Sequence, residues 1–123
     1  MSRDANFSLI RTYDAKANSA TALRLIQTHK LKLKVLLGAW LNAEIVNTNC
    51  PWLQTPHPQE VLEANKVENA KEVENAIRLA KQYPKIVVAV AVGNEALVDW
   101  NDHLVSVESV IGYVRKVKRS IAQ

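Results

Sequence analysis

Ile86-Val87-Val88-Ala89-Val90-Ala91-Val92-Gly93-Asn94-Glu95 is an unbroken apolar run that stops on a glycine followed by two polar side chains. Its β-branched residues favour extended backbone. The lack of apolar/polar alternation marks a strand covered on both faces, as in parallel sheets. Upstream, Lys34-Val35-Leu36-Leu37-Gly38-Ala39-Trp40-Leu41 has the same character, and Leu9-Ile10-Arg11-Thr12-Tyr13-Asp14 is a shorter β-prone run. Helical periodicity fills the gaps. After Asn18 and Ser19, read as N-cap residues, Ala22, Leu25, Ile26 and His29 share one side. From Gln59 to Gln82, Val67, Ala70, Val73, Ile77 and Ala80 form a stripe, and Pro84 ends that helix. From about Ser106 to Ile121, the expected buried face is Val107, Val110, Ile111, Val114, Val117 and Ile121. Glu108 in the first turn and basic residues in the last turns suit the helix dipole. Between Asn42 and Pro58 periodicity is lost, which predicts a long loop with room for a short helical turn.

The order β-α-β-α-β-α without hairpin signals implies an α/β fold with parallel strands and right-handed crossovers. The 123 residues form a single domain with no internal linker. Three parallel β-α units are a poor end state, because one sheet face and both edge strands lie open. A (β/α)8 barrel takes about 250 residues. The expectation is therefore a small open α/β domain or a partial TIM barrel, residues 1–123 making one part of it.

Composition narrows the function classes. The chain is 48% hydrophobic and 23% charged with 3 Gly and 4 Pro, which excludes disordered and collagen-like chains. The apolar run ending at Val92 is far shorter than the roughly 20 residues of a membrane span. No basic-then-apolar leader is visible, and the localisation stays open. Cys50 is the single cysteine, so no internal disulfide forms and an inert thiol is the expectation. A net charge of +4, without an aromatic-rich sheet or a basic recognition helix, argues against nucleic acid as a partner. His29, His57 and His103 lack ligand spacing, so no metal is expected. Gly93 is not part of a Gly-rich phosphate loop, and no cofactor is expected.

In parallel α/β proteins chemistry collects at the carboxyl ends of the strands. Here those ends are Tyr13-Asp14, Trp40-Leu41-Asn42 and Gly93-Asn94-Glu95. Val92-Gly93-Asn94-Glu95 resembles the fourth barrel strand of glycoside hydrolase family 17, the β-1,3-glucanases and glucan transglycosylases. Ile10-Arg11-Thr12-Tyr13-Asp14 is similar to the family's second strand and Val35 to Asn42 to its third. Ala96-Leu97-Val98-Asp99-Trp100-Asn101 looks closest to bacterial members. The resemblance runs from Leu9 to Gln123.

The resemblance implies a retaining enzyme acting on β-1,3-glucan, whose two carboxyl groups stand about 5–5.5 Å apart. It makes Glu95 the general acid/base and Asn94 the partner of the sugar 2-hydroxyl. Arg11 would orient the partner carboxylate, Tyr13 would offer a hydroxyl or ring, and Trp40 and Trp100 would stack on sugar rings. The family's nucleophilic glutamate belongs to the seventh strand, and nothing after Glu95 offers a second strand-end glutamate. Asp14 is too short, and on the wrong strand, to replace it. The chain thus carries the acid/base half of an active site and is expected to be inactive alone. The alternative is a non-catalytic half-barrel that binds β-glucan or another oligosaccharide, or that self-associates through its exposed sheet edges. A two-fold pair of three-strand units would make only six strands.

Overall fold

The strands and helices appear where the periodicity changes. In a computed structural model, which describes residues 7–122, the order is β1 (Leu9–Arg11), α1 (Ala17–Thr28), β2 (Lys34–Ala39), α2 (Gln59–Gln82), β3 (Val87–Val92) and α3 (Val107–Ile121). The strands form one parallel sheet in the order β1-β2-β3. Ile10 pairs with Val35, and Gly38 with Ala91, with a register shift between Val35 and Leu36. Residues 1–6 and Gln123 lie outside the described residues, so the reading of 1–123 as one domain applies there to the sequence alone.

All three helices pack on one face of the sheet. Val35, Leu37 and Ala39 of β2 point into that layer and meet Leu23 and Ile26 of α1 and Ala76 and Leu79 of α2. A second cluster joins Leu41, Val73, Ile77 and Val117, with Val92 and Val110 packed against it. Each fully buried Leu or Val contributes about 1.5–3 kcal/mol relative to exposure, so β2 and α2 anchor the fold. The opposite face is bare. Leu9 is exposed on β1, and at the edge of β3, beside the helices, Val88 is 58% exposed. An apolar groove of about 380 Å³ runs along β3 between Ala80, Pro84, Val117 and Ile121.

Several local expectations are corrected. Helix α1 starts two or three residues earlier than Asn18 and Ser19 imply; Lys16 is its N-cap, without a side-chain cap. Ser19 instead lies in the first turn and donates to the Asp14 carbonyl at 2.7 Å. The buried side of α1 is Ser19, Leu23 and Ile26, while Leu25 and His29 are exposed. The reason is that β2 meets a narrow stripe of α1. On α2, Val67 and Ala70 are exposed, and the polar Asn69 and Glu72 take the buried places. On α3, Val107, Ile111 and Val114 are exposed and only Val117 is fully buried, because no further element lies beside β3 to cover them. Strand β2 ends at Ala39, so Trp40 and Leu41 belong to the following loop. The 42–58 segment makes a turn at Pro51–Trp52 but no helix. Ser106 does cap α3, accepting from the Ser109 N–H at 3.1 Å.

Candidate functional site

The parallel register brings the carboxyl ends of the three strands to one rim. Two features make that rim tight. Gly38 has no side chain where a Cβ would stand 2.4 Å from the Thr12 carbonyl oxygen, so β1 can close on β2. Glu72, buried on α2, accepts from the backbone N–H groups of Ala15 and Trp40, both at 3.0 Å, and from Lys16 Nζ. A single carboxylate thereby ties the ends of β1 and β2 together. Asn69, one turn earlier on α2, does the same for the loop after β2. It accepts from Asn42 N–H at 2.8 Å and donates to the Asn42 carbonyl and to buried Glu44. Tyr113 of α3 donates to the same Glu44 carboxylate. Burial first, and then that carboxylate, push the Tyr113 hydroxyl well above the ordinary tyrosine range.

On this scaffold the Arg11 guanidinium donates to the Asn94 side-chain oxygen at 3.1 Å, spanning from β1 to the end of β3. The same guanidinium lies 4.5 Å over the Tyr13 ring, in cation–π geometry. Glu95 is exposed, with its backbone in the left-handed region at φ 52°. Its carboxylate accepts from Asn101 Nδ2 at 3.3 Å. Trp40 is half-buried; its indole N–H donates to Asn42 Oδ1, and its ring packs 4.6 Å from that of His103. Arg11, Tyr13 and Asn94 are joined by direct contacts, and Trp40 reaches Asn94 through His103. Trp100 stands apart, exposed, with its ring 6.4 Å from that of Trp52 in an edge arrangement. Asp14 is occupied: its carboxylate accepts from Lys16 N–H and Ser19 Oγ as a turn cap.

Sequence reading missed Asn101, Asp102 and His103 as site neighbours. His103 Nε2 lies 2.8 Å from the Asn94 carbonyl oxygen and Nδ1 lies 2.9 Å from the Asp102 carboxylate. The hydrogen bond with His103 is the main reason the Asp102 carboxyl sits below its usual range, aided by the Trp52 indole and opposed by partial burial. The available signal was the density of polar residues directly after a strand-end Asn-Glu. The 42–58 loop is pinned to this segment. Asn47 Nδ2 donates to the Asp99 and Asn101 carbonyls, and Glu44 N–H donates to Leu104. Among the described residues no group of three or more His, Cys, Asp or Glu is arranged to hold a metal ion.

Among solved structures, the chain is similar to the crystal structure of an endo-laminarinase from Formosa Hel1_33_131, with TM-score 0.65 and 23% identity over 96% of this chain. It spans 30% of that enzyme's length. No protein-family model matches the sequence, and no curated protein does. The likeness establishes the fold: three parallel β-α units in an open sheet, consistent with part of an α/β barrel whose neighbour is a glycosidase.

Proposed function

We propose that this chain is the acid/base wall of a retaining glycosidase or transglycosylase barrel acting on β-1,3-glucan. The observation that carries this reading is the meeting of Arg11 and Asn94 at 3.1 Å beside Glu95, at the carboxyl ends of parallel strands. The family 17 resemblance of these strand ends and the laminarinase fold likeness support the same reading.

Chemically, Glu95 gives its proton to the departing glycosidic oxygen and later takes one from water. Asn94, held by Arg11, binds the sugar beside the reacting carbon. Trp40 and Tyr13 line the approach, and Trp100 with Trp52 stands further out on the rim. The second carboxyl is supplied by strands beyond these three, so the three-strand unit alone binds without turning over.

Titrating the isotope-labelled chain with laminari-oligosaccharides should move the NMR resonances of Arg11, Asn94, Glu95 and Trp40 together. Perturbations confined to other surfaces, or none at millimolar sugar, would sink the assignment. In the complete barrel, Glu95→Gln should slow glucan turnover about 10²–10⁴-fold, the usual worth of a general acid. Substrates with activated leaving groups, which need no proton, should lose far less. A second reading, a non-catalytic half-barrel that pairs with other chains, draws on the open edges and on exposed Val88.

A further inference from the structure

Glu95 is one of two non-glycine residues at positive φ among those described, the other being Lys30 at the end of α1. A left-handed backbone costs an ordinary residue about 1–2 kcal/mol. Such a conformation persists only when its surroundings over-determine it. Around Glu95 the determinants come from one short segment folded back over the strand end. Val105 N–H donates to the Ala96 carbonyl at 2.8 Å. Asn101 Nδ2 reaches both the carbonyl and the carboxylate of Glu95, at 3.4 and 3.3 Å. His103, only 9% exposed, approaches the Asn94 carbonyl at 2.8 Å.

The His103 ring is itself fixed three ways. Trp40 covers a face, Asp102 holds Nδ1 and Asn94 holds Nε2. The Asp102 carboxylate and the Asn94 carbonyl are both acceptors, so each ring nitrogen faces an acceptor. The 3.4 Å approach of Asn101 Nδ2 to Nε2 is the weaker competitor for that nitrogen. The peptide carbonyl it grips links Asn94 to Glu95, so turning that peptide turns the Glu95 φ with it.

We propose that Asp102 and His103 form a positioning pair that holds the Asn94–Glu95 peptide and thereby aims the Glu95 carboxylate, a role that rests on the reading of Glu95 as proton donor. Neither side chain touches the reacting atoms; each acts through Glu95. The pair explains why the turn at the strand end carries a glutamate where a glycine would be free of strain.

The test is backbone NMR on the full labelled chain. In His103→Ala, the Glu95 backbone shifts should leave left-handed values and those of Asn94 should move with them, while those of Val35 and Leu37 stay in place. Added imidazole, entering the space beside Trp40, should restore most of the shift. Added 1-methylimidazole should not, because its methyl group blocks one of the two nitrogens that must face the Asp102 carboxylate and the Asn94 carbonyl. Equal restoration by both would make His103 a packing residue and overturn the pair. Asp102→Ala, at a half-exposed position, should move Glu95 in the same direction. An unmoved Glu95 in either variant would also overturn it. Because the readout is backbone conformation, it stands apart from whether Glu95 meets glucan, which the titration above decides.

Discussion

At the scale of single residues, the balance between strain and use is clearest at Glu95. Its φ of 52° suits glycine, and among the described residues its carboxylate has one partner, Asn101. Glu95→Gly should therefore stabilise the chain by about 1 kcal/mol, the relief of a left-handed side chain, while removing the proposed proton donor. Denaturant titration of the two proteins checks it; a destabilised glycine variant would mean that the Asn101 contact outweighs the strain. Asn94 and Glu95 stood out as candidates because an apolar strand gives way there to polar side chains, whereas Arg11 entered through the family resemblance of its strand. His103 did not stand out. Nothing in its flanking sequence distinguishes a loop histidine in water from one folded under Trp40.

At the scale of elements, α2 and α3 show what periodicity can and cannot give. The bounds of α2 were legible because Pro58 and Pro84 flank it. Its buried face was legible at Val73, Ile77 and Ala80 but not before them, where Asn69 and Glu72 are inside to serve the strand ends while Val67 and Ala70 stay exposed. Helix α3 is tied to the same scaffold through Tyr113 and Glu44. The Tyr113 proton is held more tightly in the folded chain than in the unfolded one, by burial and by that carboxylate. Its contribution is thus complete below the unfolded tyrosine value, about pH 10, and fades as pH rises toward the higher folded value. Tyr113→Phe, which leaves Glu44 short of a donor, should cost about 1–3 kcal/mol at neutral pH. Thermal unfolding of both proteins should show the gap shrinking above pH 10. A gap that stays constant there would mean the hydroxyl contributes only by packing.

At the scale of the whole molecule, the sheet is a wall with one clothed face. Strand β3 offers unpaired backbone groups beside exposed Val88, and α3 leaves Val107, Ile111 and Val114 uncovered. Such an edge pairs with other strands unless it is blunted. The isolated chain should therefore sediment as a concentration-dependent mixture heavier than 13.8 kDa. Val88→Lys, placing a charge on the edge, should shift it toward monomer. A compact wild-type monomer at all concentrations would show that the open edges need no partner.

Sequence alone determined the alternation of strands and helices, their parallel sense and the polar strand ends, because apolar periodicity and strand-terminating residues are local properties. It also marked the α/β class through crossover geometry, which is a property of chirality more than of particular side chains. Only the tertiary structure decided which faces are buried, that Glu72 and Asn69 fasten the rim, and that His103 lies beneath Asn94. The Glu72 and Asn69 contacts join residues far apart in the chain, the His103 contact spans an aperiodic loop, and the strength of all of them depends on burial and on distances that no local pattern encodes.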